Sequence, residues 1–165
     1  MKKINIGYVL VASMVLMFSM KSNAQISKAE IRATGLTCSM CSNAINKQLK
    51  ALPEVTNVET DLNTNTFTVT LKEGNELSPK TFKEKVEKAG FFIGSLVITA
   101  KAETISKSPY ILVNDKKGVT EVVQFQVVDK GYVTEKEFKK LSKSYKEIAT
   151  YVANSEDDFH IKILN

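Results

Sequence analysis

The chain has 165 residues, room for one ordinary domain or two small ones. Its hydrophobic share of 43% and charged share of 25% are those of a globular protein and exclude a disordered or low-complexity chain. The formal charge is +5, but Lys2, Lys3 and Lys21 lie at the N-terminus, so the rest of the chain is close to neutral. The basic balance therefore does not point to nucleic acid, which calls for a concentrated basic face.

Lys2 and Lys3 precede an apolar run over residues 4–20, and Ser22-Asn23-Ala24 then sets small residues before Gln25. This pattern predicts a cleaved Sec-type signal peptide over residues 1–24, with an uncleaved anchor as the alternative. The run is shorter than the roughly 20 residues that span a bilayer comfortably. Because no cysteine follows it directly, a lipoprotein is not indicated. Either reading places the folded part outside the cytoplasm, in a periplasm or secreted.

From residue 25 to residue 100 the apolar pattern changes period in a regular way. Residues 29–33 alternate Ile31 and Ala33 against Glu30 and Arg32 and predict a strand. After a loop over residues 35–39, Ile45, Leu49 and Leu52 share one face of a helix that Pro53 ends. Residues 55–62 and 66–71 predict two strands joined by the turn Asn63-Thr64-Asn65, with Phe67, Val69 and Leu71 on one buried face. Ser78-Pro79 reads as a helix start, Ser78 as cap and Pro79 at the first helical position. Phe82, Val86 and Ala89 share a face of that helix, Gly90 stops it, and residues 91–99 predict a further strand. The order is β-α-β-β-α-β, a ferredoxin-like α+β sandwich.

Residues 101–109 read as a linker, and residues 110–165 as a small ββαβ unit. Strands are predicted over 110–113 and 120–128, joined by the turn Asn114-Asp115-Lys116-Lys117-Gly118. Thr134 and Glu137 have the spacing of a capping box. Behind them Phe138, Leu141, Tyr145, Ile148 and Val152 are expected to form one apolar stripe on one helix, its lysines from Lys136 to Lys146 forming a solvated face. The last strand, over 158–164, turns Phe159, Ile161 and Ile163 inward, so His160 is expected to point to solvent. About 55 residues make a small independent core, so this unit is expected to pack on the first or to need a partner.

The chemistry-bearing segment is Gly35-Leu36-Thr37-Cys38-Ser39-Met40-Cys41. Outside the cytoplasm a cysteine pair defaults to a disulfide, but a ring this small constrains the unfolded chain little and makes a poor staple. A C-x-x-C pair is more often reactive or metal-binding. Thiolate sulfur favours soft ions such as Cu(I) and Hg(II) over hard cations. Placing Cys41 in the first turn of a helix sets backbone N–H groups and the positive helix end near the sulfurs, which favours thiolate. Two protein ligands leave an ion under-coordinated, open to attack by a partner's thiols. With no further cysteine and only His160, a closed four-ligand zinc site of Cys and His within one chain is excluded by count.

Gly35 to Cys41, continuing through Ile45, Leu49, Leu52 and Val55 to Ala89-Gly90-Phe91, resembles the heavy-metal-associated domain family. That family opens its first helix with G-M-[TS]-C-x-x-C and includes copper chaperones, N-terminal domains of copper-transporting P-type ATPases and periplasmic mercury-binding proteins. The resemblance implies Cys38 and Cys41 as metal ligands, Cu(I) as the favoured ion with Hg(II) second, and a metal-transporting membrane protein or another donor or acceptor as partner. Leu36 takes the place of the family's Met as apolar anchor, and Glu54 stands where many members have Gly. Thr37 agrees with copper-type members, since zinc- or cadmium-selective ones carry an acidic residue there.

The expected function is therefore a non-enzymatic, extracytoplasmic soft-metal carrier or scavenger. The alternatives are a thiol–disulfide redox protein and an interaction module with an oxidised C-x-x-C. Met40 is expected to face solvent, and Phe91 to pack either near the metal loop or as plain core. Oligomeric state, the metal's sharing by two chains and the role of the C-terminal unit stay open.

Overall fold

The computed structural model describes residues 26–37, 39–106, 109–114, 121–153, 155 and 158–164. The predicted signal peptide and Cys38 lie outside these residues. The first six elements run β1 (Ile26–Thr34), α1 (Ser39–Lys50), β2 (Val55–Asp61), β3 (Thr66–Leu71), α2 (Pro79–Lys88) and β4 (Phe92–Lys101). Their strands pair antiparallel in the order β2-β3-β1-β4, which is the expected ferredoxin-like arrangement. Ile45 and Leu49 of α1 and Phe82 and Val86 of α2 are fully buried, in one core with Ile31, Phe67, Val69, Leu96 and Ile98 of the sheet. Burying such side chains stabilises by roughly 1.5–3 kcal/mol each, so the helix faces read from their spacing hold these helices to the sheet.

The local stop and start signals work through identifiable groups. Gly90 takes φ 88° after α2, a left-handed conformation costly for any residue with a Cβ. Asn65, a residue type that tolerates this region, takes φ 54° in the β2–β3 turn. Ser78 sits at the N-cap of α2 with extended backbone, but its side chain accepts no bond from the helix; Thr81 N–H instead donates to the Ser78 carbonyl at 3.1 Å.

The segment read as a linker carries a one-turn helix, α3 (Ala102–Ile105), with Thr104 buried. Beyond it the chain extends the same sheet. Strands β5 (Tyr110–Leu112), β6 (Val122–Val127) and β7 (Phe159–Ile163) complete a seven-stranded sheet of order β2-β3-β1-β4-β6-β7-β5. β6 pairs antiparallel with β4 from Leu96↔Val127 to Lys101↔Val122, so the edge of the first unit is covered. β5 and β6, consecutive in sequence, are not neighbours. β7 lies between them, parallel to β5 and antiparallel to β6.

Two helices, α4 (Glu135–Ser144) and α5 (Ala149–Ala153), cover the sheet's other face at this end. Gln126, between core-facing Phe125 and Val127, reaches Glu137 of α4 on that face. This placement overturns the solvent-facing reading of His160, which is fully buried. Phe159 and Ile161 do point into the main core as alternation requires, but the opposite side of β7 is roofed by Tyr151, whose ring meets the His160 ring at 5.0 Å. The His160 polar groups are all engaged. Its N–H donates to Asp129 Oδ2 at 2.6 Å, its Nδ1 lies 2.7 Å from Asp129 Oδ1, and its Nε2 lies 2.9 Å from Thr150 Oγ1.

The expected single apolar stripe is also corrected. The helix breaks at Tyr145, with φ −108° and ψ 23°, and restarts at Ala149. The break shifts the helical phase, so Tyr151 is buried with its hydroxyl on the Val128 carbonyl at 2.8 Å, while Val152 is 63% exposed. Half of the capping box forms. Thr134 Oγ1 accepts from Glu137 N–H at 3.3 Å, whereas the Glu137 carboxylate goes to Gln126. Lys136, Lys139, Lys140, Lys143 and Lys146 are exposed, the solvated face the sequence predicts.

Candidate metal centre

β1 delivers the chain to Gly35, which turns it with φ 86° at the end of the sheet. A Cβ at Gly35 would lie 3.9 Å from the Phe91 ring, so the loop passes directly over that aromatic. Phe91 is partly buried and packs on the main core, and it therefore serves both as core and as floor to the loop. Leu36 packs against the same core, the anchoring place its apolar side chain suits. Thr37 is exposed.

α1 then begins at Ser39, which places Cys41 in its first turn and partly buried. The N–H groups of a first turn have no intrahelical acceptor and carry the positive end of the helix dipole. No acidic residue of α1 lies in that turn to oppose this field, and Lys47 and Lys50 occupy the last turn, where they suit the negative end. Ser42, next to Cys41, is buried, and Ile45 and Leu49 fix the helix face that turns the cysteine's end toward the loop. Cys38 lies outside the described residues, so of the two sequence-derived ligands the structure places Cys41.

Around the loop, Met40 is 78% exposed, Phe92 68% and Leu62 56%, giving this end of the molecule an apolar rim. Met40 thus faces solvent, as the sequence reading has it. A hollow of about 260 Å³ lies beside the loop, lined by Leu36, Thr37, Ser39, Ser42, Leu62 and Asn65. Among the described residues no group of three or more His, Cys, Asp or Glu side chains is arranged to hold an ion. His160 is engaged with Asp129 and Thr150 elsewhere in the fold. Cys41 brings a sulfur to this end of the molecule, a donor that suits a soft ion.

Residues 30–92 match the family model of the heavy-metal-associated domain. This segment, under half of the chain, is a heavy-metal-associated domain. The chain is 46% identical over 57 residues to a copper-transporting ATPase of Saccharomyces cerevisiae, a match covering 34% of this chain and 6% of that one. It is 36% identical over 73 residues to a copper-exporting P-type ATPase of Bacillus subtilis, covering 44% of this chain and 8% of the relative. The chain therefore spans a small fraction of the length of these curated relatives. Among solved structures it resembles the yeast copper transporter domain CCC2A, determined in apo and Cu(I)-loaded states. That match has 39% identity and a TM-score of 0.37, over 41% of this chain and 90% of that domain. The matched segment runs from within β1 to the first residue of β4, so the rest of β4 and all of α3, β5, β6, α4, α5 and β7 lie beyond it.

One cluster was not legible beforehand. Asp129, His160 and Thr150 form no motif in the sequence; the pairing of β6 with β7 brings Asp129 beside His160, and α5 brings Thr150. Burial holds the Asp129 carboxyl above the usual carboxylate range, against the lowering effect of its bonds to His160.

Proposed function

We propose that this protein binds one Cu(I), or another thiophilic ion such as Hg(II), between Cys38 and Cys41 and carries or scavenges it outside the cytoplasm. The observation that carries the reading is the position of Cys41. It stands in the first turn of α1, behind the Gly35 turn, in a segment belonging to the heavy-metal-associated domain. The two sulfurs supply soft ligands. An ion held by two sulfurs leaves room for thiols of a second protein, so transfer proceeds by ligand exchange: one sulfur of the partner bonds before one of this chain lets go. The similarity to copper-transporter domains supports copper over mercury and a metal-transporting membrane protein as donor or acceptor. No enzymatic step is required of the protein in this role.

The test is competition for Cu(I) with a chromophoric chelator, using reduced protein without residues 1–24 and the variants Cys38→Ser and Cys41→Ser. One-to-one binding lost in both variants is the expected result. A wild type that cannot compete for copper but reduces insulin disulfides would instead make this a thiol–disulfide protein. Failure in both assays would leave an interaction module with an oxidised cysteine pair.

A further inference from the structure

The sheet carries an irregularity at the place where the metal loop leaves it. Between the pairs Arg32↔Ser95 and Ala33↔Ile93, β4 has one more residue than β1, and that residue is Gly94. Such a bulge bends its strand and re-aims the chain beside it. Gly94 is buried, and a Cβ built on it would lie 2.5 Å from Thr34 Cγ2, 3.4 Å from the Arg32 carbonyl oxygen and 3.6 Å from Thr134 Cγ2. A glycine inside a strand marks this kind of close approach.

Three elements meet there. Thr34 is the last residue of β1, immediately before Gly35, and its Oγ1 donates to the Phe92 carbonyl at 3.3 Å. Phe92 opens β4 directly after Phe91, the aromatic under the metal loop. On the far side Ser95 bridges to Val133, and Thr134 caps α4. The C-terminal unit thus closes on the bulge from one side while the root of the metal loop closes on it from the other.

We propose that Gly94 is a positioning residue for the metal loop, and that through it the C-terminal unit sets the loop's geometry and so its affinity for the ion. The proposal rests on the metal-carrier reading above. Thr34 is β-branched and stiff, and its hydroxyl is held by Phe92, so it cannot swing away from an added methyl. Alanine at position 94 must therefore push the exit of β1, and with it Gly35 and the chain leading to the cysteines. Groups that orient ligands without touching the ion typically change affinity by 10–100-fold, and a shift at the loop's root belongs at the lower end, about tenfold.

The experiment measures Cu(I) affinity by chelator competition, beside the thermal midpoint of the apo form, for wild type, Gly94→Ala, Thr34→Ser, Thr134→Ser and the double variant Gly94→Ala/Thr34→Ser. All affinities are taken at a temperature where each protein is folded. Gly94→Ala is expected to bind about tenfold more weakly. The double variant, in which serine keeps the hydroxyl and removes the clashing methyl, is expected to recover most of that loss. Thr134→Ser, which keeps the cap and removes the methyl, is expected to weaken binding by less than Gly94→Ala does. Wild-type affinity in folded Gly94→Ala, or a loss that Thr34→Ser does not relieve, overturns the positioning role. If Gly94→Ala does not fold, the other variants decide, and wild-type affinity in Thr134→Ser overturns the link to the C-terminal unit. A wild type that holds no Cu(I) overturns the metal reading itself, a distinct outcome.

Discussion

Replacing Asp129 with alanine should destabilise the protein far more than its position in a turn suggests. The carboxylate receives the His160 N–H at 2.6 Å and lies 2.7 Å from His160 Nδ1, and His160 is fully buried, so removing the carboxylate takes the partner from both groups. Each buried polar group left without its partner costs about 1–3 kcal/mol, and two are orphaned together, for about 2–6 kcal/mol. That is a substantial part of the 5–15 kcal/mol typical of a folded domain. Asp129→Asn is the informative companion. Its amide oxygen can accept the backbone N–H while its N–H₂ donates to Nδ1, with the ring in the tautomer that donates to Thr150. Burial already disfavours the Asp129 charge, so losing that charge should cost about 1 kcal/mol or less. The chain has no tryptophan, so urea unfolding would be followed by far-UV circular dichroism. A loss in Asp129→Ala below about 1 kcal/mol, or an equal loss in both variants, would refute the reasoning.

Two further outcomes follow from the C-terminal packing. Burial pushes the Tyr110 hydroxyl, set between the rings of Phe125 and Phe159, up to about 12 from an ordinary value of 10.0. Below pH 10 that contribution to stability is intact, and it fades as pH rises toward 12 because the unfolded chain ionises first. Tyr110→Phe should therefore outlast wild type in alkaline denaturation, by up to about 2 kcal/mol, with little difference at neutral pH. Parallel stability curves for the two proteins would contradict this. The helix break at Tyr145 predicts opposite effects at adjacent positions: Tyr151→Ala should cost about 3–5 kcal/mol in chemical denaturation. Val152→Lys should stay within about 0.5 kcal/mol of wild type. An uninterrupted helix with Val152 on its inner face would reverse that order.

The Gly35 turn and the helix that follows it were readable because their signals are local. Gly35, Cys41, Ile45 and Leu49 sit on one turn and one helix, where the spacing of a few residues determines which way each side chain points. The same holds for Gly90 after α2 and for Thr134 at the start of α4, where single residues meet the needs of nearby backbone groups. The reading of His160 failed for a different reason. Alternation along β7 correctly separates Phe159, Ile161 and Ile163 from His160, but two-residue periodicity divides a strand into faces without saying what covers each. Val152 failed because four residues outside regular helix, at 145–148, are enough to rotate everything after them. Gly94 gave no signal at all, since a glycine in an apolar strand looks the same whether or not another chain segment presses on it.

By itself the sequence determined the order of the elements from β1 to β4, the ends of α1 and α2 and the residues of the core between them. Those depend on propensity, capping and periodicity over neighbouring residues. Tertiary structure alone decided that β6 joins the open edge of β4, that β7 inserts between β6 and β5, and that α4 and α5 close the opposite face over His160. These are contacts between residues distant in the chain, and their energy lies in the burial of surfaces that no local pattern pairs. The Gly35 loop belongs to both levels: its residues are specified locally, while its root at Thr34 lies beside Gly94, which the start of α4 approaches from the other side.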